Sequence, residues 1–273
     1  MEDLNITVSD LKAPMTVKEY LRKIGISVTL TKKVKCGGIH LNGCAVTVRA
    51  EIKNGDELKL VFPKSKNESI VPMDIPLKVV YEDEHILVVD KPSNMPTHPS
   101  LGNSLPTLAN AVIGKYGKEF IFRAINRLDR DTSGLVLIAK EPISANILSS
   151  AMKSGKFKKQ YTCTVCGVPE IRGIIDAPIR RESDGSVKRT VAPDGKHALT
   201  EYEVIEAAAD RAVCLVTLHT GRTHQIRVHM SHIGYPLVGD FLYGERGSGS
   251  FDLRCSRLSF PHPITGETMT FSI

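Results

Sequence analysis

Hydrophobic positions change their period several times along the chain, and each change marks an element. Val17, Tyr20 and Leu21 fall at i, i+3 and i+4, one face of a helix. Thr16 is placed to cap that helix, Glu19 three residues on completes a capping box, and Gly25 is placed to end it. A second helix is expected from about Thr29 to Gly37-Gly38. Ile39-His40-Leu41 and Ala45-Val46 read as a hairpin across an Asn42-Gly43 turn, and Ile52 to Leu60 supply a further strand. His85 to Val89 and Leu135 to Ala139 are nearly unbroken apolar runs, as in central strands buried on both faces. Tyr161 to Cys166 and Ala212 to His219 alternate, as half-buried strands do. Leu108 to Tyr116 and Ser144 to Ser154 read as helices, the second with Ile143, Ile147, Leu148 and Met152 on one side. This mixture predicts an α+β fold with a mixed, mostly antiparallel sheet.

Pro63-Lys64-Ser65-Lys66-Asn67-Glu68-Ser69 is polar and aperiodic, and Pro72 and Pro76 follow it. The stretch reads as a linker over 64–72 between a small domain, 1–63, and a large one, 73–273.

Composition narrows the class. The chain has 273 residues, 41% of them hydrophobic, which is enough for a core. It has no apolar run long enough to cross a bilayer, so no membrane partner is expected. The acidic start, Met1-Glu2-Asp3, does not read as a signal peptide, and a cytoplasmic location is expected. Six cysteines, at 36, 44, 163, 166, 214 and 255, sit mostly in apolar or strand-like segments and read as reduced core residues. A net charge of +6 permits a polyanionic partner without requiring one.

The most informative stretch runs from Arg127 to Val136: Arg-Leu-Asp-Arg-Asp-Thr-Ser-Gly-Leu-Val. Two carboxylates lie between two arginines on a polar loop that feeds a buried strand. Spacing alone allows an Arg–Asp loop that merely caps a strand. It also allows, less readily, a nucleophilic or acid/base carboxylate held on a rigid base and kept ionised by its neighbours.

The stretch resembles motif II of the RluA family of pseudouridine synthases, His-Arg-Leu-Asp-x-x-Thr-Ser-Gly. Leu87-Val88-Val89-Asp90-Lys91-Pro92 resembles the family's early strand ending in Lys-Pro. Lys159-Gln160-Tyr161 with Val165-Cys166-Gly167 resembles its tyrosine motif. Thr220-Gly221-Arg222-Thr223-His224-Gln225-Ile226-Arg227-Val228-His229 resembles its arginine motif, continued by Gly239-Asp240 and Tyr243-Gly244. The motifs fall in the family's order. The small domain resembles the S4 RNA-binding fold, and between residues 18 and 35 it carries Lys18, Arg22, Lys23, Lys32, Lys33 and Lys35 against Glu19 as the single acid. A basic face of that kind gains affinity for phosphates by releasing counterions.

The resemblance implies an RNA pseudouridine synthase core behind an S4-like domain. The implied reaction breaks the uridine N1–C1′ bond, turns the base and joins C5 to C1′. No cofactor or metal is needed, and the base must leave its stack. Asp129 matches the catalytic aspartate, as nucleophile or charge stabiliser at C1′. Tyr161 matches the active-site tyrosine, stacking on the uracil and assisting proton transfer. Arg222 matches the active-site basic residue, expected to form a salt bridge that orients Asp129. Arg127, Lys159, Lys18, Arg22, Lys32 and Lys33 are expected to bind RNA. Thr132, Ser133 and Gly134 are expected to shape the catalytic turn. Asn126 stands where the family usually has His; it cannot titrate, so the position is structural or a substrate contact.

The implied substrate is ribosomal RNA of the large subunit, handled by a monomer. A transfer RNA substrate and a catalytically silent RNA-binding protein are the alternatives. A glycosidase would need two acids flanking a sugar bond. A zinc site on Cys163 and Cys166 fails because residues three apart on a strand face opposite ways.

Overall fold

The computed structural model describes residues 2–35, 37–62, 70–99, 106–244 and 249–273. The expected linker falls largely on 63–69, outside the described residues, as does Cys36.

The N-terminal module runs β1 (Glu2–Thr7), β2 (Met15–Thr16), α1 (Val17–Lys23), α2 (Val28–Val34), β3 (Ile39–Leu41), β4 (Cys44–Ala45), β5 (Glu51–Ile52) and β6 (Glu57–Phe62). Its main sheet has the order β1-β6-β3-β4, and β2 pairs with β5. The capping box on α1 forms: Thr16 N donates to Glu19 Oε2 at 2.9 Å, and Glu19 N donates to Thr16 Oγ1 at 3.3 Å. The hairpin turn forms too, with Asn42 at φ 50° and Gly43 at φ 83°, the left-handed pair a two-residue hairpin demands. Helix α2 starts one residue earlier than the pattern predicts because Ser27 caps it, its hydroxyl accepting from Leu30 N.

The larger part runs β7 (Lys78–Glu82), β8 (Ile86–Lys91), α3 (Leu108–Tyr116), β9 (Ser133–Ala139), α4 (Pro142–Lys153), β10 (Lys158–Cys166), β11 (Arg172–Asp176), β12 (Ile179–Arg181), β13 (Arg189–Val191), β14 (Leu199–Ala207), β15 (Arg211–Leu218), α5 (Gln225–His232), β16 (Leu253–Pro261) and β17 (Thr268–Ser272). Its sheet has the order β11-β14-β15-β10-β16-β9-β8-β7, with β17 added on β16, and β12 and β13 form a separate hairpin. Among the described pairings in this sheet, β9 with β16 is the one parallel pair. The fold is α+β with a mostly antiparallel sheet, as the alternating segments require. β8 and β9 are interior strands, flanked by β7 and β16, with every residue from Ile86 to Lys91 and from Gly134 to Ala139 buried, which accounts for their unbroken apolar runs.

Two large hydrophobic cores and a small cluster of Ile179, Ala198 and Val228 result, and α4 serves both large ones. Ile143 is buried with the N-terminal core and Ile147 packs on it, whereas Leu148 and Met152 pack on the core of the large sheet. At about 100° per residue these four side chains span roughly half the helix circumference, two adjoining faces in place of the one expected. Asn146, between them, accepts from Ser27 N at 3.2 Å and donates to Gly25 O at 2.6 Å, so α4 grips the turn that joins α1 to α2. Among the described residues, no helix is long and apolar enough to cross a membrane. The described cysteines are all unpaired; Cys163, Cys214 and Cys255 are buried, while Cys44 is exposed, which corrects its core assignment.

Candidate active site

The loop ahead of β9 holds the Arg127–Gly134 stretch, and the chain leaving β8 clamps it from below. Thr97 Oγ1 donates to Leu128 O at 2.8 Å, and Ser93 Oγ donates to Asp131 O at 2.6 Å. Met95 N donates to Arg130 O at 3.0 Å. Lys91, 0% exposed, spends its ammonium on three carbonyls: Pro92 at 2.9 Å, Met95 at 2.6 Å and Arg130 at 3.2 Å. Burial pushes this amine down to about 8, against the pull of Asp129 and Asp131. The Lys-Pro motif is therefore a buried post under the loop.

Gly134 closes the loop at φ 111°, and a Cβ there would lie 2.3 Å from Cys255 O on β16. Only glycine lets β9 approach β16 at this point. Thr132 is buried, and its hydroxyl has no hydrogen-bond partner among the described residues.

Above the loop is a cleft of about 1320 Å³, which Asp129, Tyr161, Arg222, Arg127, Asn126 and Lys159 all line. Lys18, Arg22, Lys32 and Lys33 do not; they are exposed on α1 and α2 of the N-terminal module. Asp129 is the one carboxylate among the described lining residues, against Arg127, Arg130, Lys158, Lys159, Arg222, Arg227 and Arg257. The carboxylate of Asp131 is turned aside, paired with Arg130 at 2.9 and 3.0 Å. A two-acid glycosidase site is thereby absent from this cleft.

Tyr161 stands on β10 with 6% of its surface exposed, forming part of both the core and the cleft floor. Burial, then Cys255 and Asp129 nearby, push its phenol well above the usual range, so it stays protonated. Lys159, two residues earlier on the same strand, is half-buried, and desolvation lowers its pKa. A Cβ on Gly221 would come within 3.2 Å of its Nζ, so a side-chain-free turn passes over this lysine.

Two sequence-based expectations change. Arg222 forms no ion pair with Asp129; its Nε donates to His197 O at 2.9 Å, and the exposed side chain sits on the cleft rim. Asn126 is buried, and β9 uses its amide: Nδ2 donates to Leu135 O at 3.0 Å, and Leu137 N donates to Oδ1 at 2.8 Å. Of the two options for this position, these bonds are the structural one.

Arg227 and His224, both inside the arginine motif, were missed. Arg227 donates through Nε and Nη2 to the Asp240 carboxylate at 2.8 and 2.6 Å, with side chains 3% and 0% exposed. Phe241, Tyr243 and Phe251 surround its guanidinium with ring centroids 5.1 to 5.6 Å away. Burial works against this cation, but Asp240 and then Asp129 more than restore it, so its charge faces the cleft acid. The sequence did hold a signal: an arginine among Ile226, Val228 and Met230 on a buried helix needs a buried acid.

His224 precedes α5 in a left-handed conformation, φ 57°, with Nε2 3.9 Å from Asp129 Oδ2. Burial lowers its pKa, partly offset by Asp129. Of the nearby histidines, His219 pairs with Glu201, and His229 with Thr200 and Ala177 O.

A family profile described as RNA pseudouridylate synthase matches residues 85–232 of the chain. An uncharacterized RNA pseudouridine synthase, YjbO of Bacillus subtilis, is 43% identical over 94% of each chain. A protein of Pasteurella multocida named ribosomal large subunit pseudouridine synthase D is 35% identical over 85% of this chain and 78% of its own. Among solved structures, human RNA pseudouridylate synthase domain containing 1 matches with a TM-score of 0.62 at 27% identity, over 72% of this chain and 83% of that one.

Proposed function

The chain belongs to the RluA family of RNA pseudouridine synthases, and from that premise we propose that it isomerises uridines of large-subunit ribosomal RNA with Asp129 as the reacting carboxylate. One observation carries the reading: among the described residues, the cleft is lined by seven arginines and lysines and a single acid. Such a cleft attracts the phosphate backbone, while the lone carboxylate serves the sugar. Asp129 attacks C1′ or stabilises positive charge developing there as N1 departs. Lys91 and Arg227 supply fixed positive charge beside it. Tyr161 lies under the flipped uracil and, as a neutral phenol, takes part in proton transfer. Arg127, Lys159 and Arg222 meet phosphates or the base.

The N-terminal module is read as an S4-like RNA-binding domain whose exposed Lys18, Arg22, Lys32 and Lys33 add affinity without chemistry. The assignment to ribosomal RNA rests on the name of the Pasteurella relative and on that module.

Joining C5 to C1′ expels the C5 hydrogen, so tritium release from 5-tritiated uridine reports the reaction. Wild type should release tritium from a large-subunit ribosomal RNA transcript, and Asp129→Asn should release none while binding the transcript equally. Release by Asp129→Asn at the wild-type rate would remove Asp129 from the chemistry. Faster release from transfer RNA would reassign the substrate.

A further inference from the structure

His224 is a non-glycine residue held at φ 57°, a strained backbone of the kind that collects at functional sites. It holds the imidazole between Asp129 and Tyr243. Nδ1 lies 2.8 Å from the Tyr243 hydroxyl, whose oxygen accepts Arg189 N–H at 2.8 Å. A phenol has one proton to give. With its oxygen already accepting from Arg189, that proton goes to His224 Nδ1, and the imidazole N–H falls on Nε2. Nε2 is the nitrogen that faces Asp129 Oδ2, at 3.9 Å. The charged groups acting on the ring are Asp129 and Asp240 on one side and Arg227 and Arg189 on the other. The side chain is 9% exposed, so little water competes for it.

We propose that Arg189, Tyr243 and His224 form a relay that fixes one histidine tautomer, and that His224 is a positioning residue which aims Asp129 at the sugar. The inference rests on Asp129 being the reacting carboxylate. Nε2–H donates to Oδ2, which leaves Oδ1 facing ribose C1′. At 3.9 Å the contact is not yet a hydrogen bond; seating the nucleotide closes it by about 1 Å to ordinary N–H···O length. No bond to carbon involves the histidine, and the ring stays neutral throughout.

The test uses the full chain, single-turnover tritium release and an independent RNA binding assay. His224→Gly suits the left-handed backbone, so it removes the imidazole without adding strain. It should slow the step at saturating RNA by roughly 10- to 100-fold, the cost of about 1 Å of misplacement, with RNA affinity changed less than twofold. His224→Gln, whose amide N–H reaches the Nε2 position, should recover most of that loss. Tyr243→Phe should give a smaller loss. The nitrogen-15 spectrum of the imidazole should show the Nε2–H tautomer in wild type and a mixture in Tyr243→Phe. A His224→Gly rate within threefold of wild type, a loss confined to RNA affinity, or a wild-type ring protonated on Nδ1 would each overturn the relay. Absence of turnover in wild type itself would count against the proposed function, and the spectrum would still decide the tautomer.

Discussion

Replacing Asp240 by Asn should destabilise the protein by about 3–5 kcal/mol, because it strands a buried cation. The structure fixes the mechanism. Asp240 is fully buried, and each of its carboxylate oxygens accepts from Arg227, at 2.6 and 2.8 Å. Oδ1 also accepts from Leu242 N at 3.0 Å and Tyr243 N at 3.1 Å. Asparagine keeps one oxygen for the turn, but its NH2 then confronts the Nε–H of Arg227, donor against donor, and the guanidinium loses its counter-charge. For a domain of about 200 residues, 3–5 kcal/mol is a fall of roughly 6–20 °C in Tm at neutral pH. The pH dependence provides a second reading. Burial pushes the Asp240 carboxyl up, but Arg227 and two backbone N–H groups hold it below its ordinary value of 3.8. A carboxyl depressed on folding adds stability at pH values above its unfolded pKa and loses it as pH falls through the folded one. The gap between wild type and Asp240→Asn should therefore be constant down to about pH 4 and shrink below it. Pairing the change with Arg227→Met should cost less than the two single changes together, since no lone charge then remains. A single-variant Tm within 2 °C of wild type at pH 7, or a gap that persists undiminished into acid, would refute the buried-pair argument.

Two further outcomes follow from the loop that carries Asp129. Lys91 is charged in the unfolded chain up to about 10.5 but in the folded one only up to about 8, so wild type should gain stability between those pH values relative to Lys91→Met. The gain should approach about 3 kcal/mol, read as the change with pH in the difference between their urea midpoints; a difference independent of pH would sink it. A neutral imidazole offers one donor and one acceptor, the pair Asn126 uses on Leu135 and Leu137. Asn126→His should thus change turnover by well under tenfold, whereas Asn126→Leu orphans two backbone groups at about 1–3 kcal/mol each, measurable by urea unfolding. A hundredfold gain from Asn126→His would make that position catalytic.

What was legible in the sequence was local. The capping box on α1, the Asn42-Gly43 turn and the buried runs of β8 and β9 are set by neighbours a few residues away, and they formed where expected. The two-faced role of α4 was not legible. Ile143 and Leu148 are both apolar, and only the approach of a second core decides which each one meets. The same limit governs Asn126, whose partners lie on β9, nine and eleven residues away in sequence. An asparagine that bonds a strand and one that bonds a ligand read identically until the strand is placed beside it.

The arginine motif shows how burial, more than motif membership, sorts cations into roles. Arg222 and Arg227 lie five positions apart in one recognisable run, and the sequence favoured Arg222 as partner of the acid, whereas Arg227 is the one that burial and Asp240 hold in place. A cation can orient a carboxylate only if its own position is fixed and its charge unscreened. Arg227 meets both conditions through Asp240 and three aromatic rings. Arg222, exposed and tied by one bond to a backbone carbonyl, meets neither. The exposed cations of the cleft, Arg127, Arg130, Lys158, Arg222 and Arg257, stay in contact with solvent ions, so a polyanion gains by displacing those ions. Lys91 and Arg227, sealed from salt, keep a constant field on Asp129 whether or not RNA is bound. On the proposed function, the exposed cations of the cleft serve binding and the two buried ones serve chemistry, so salt should weaken the first while leaving the second intact.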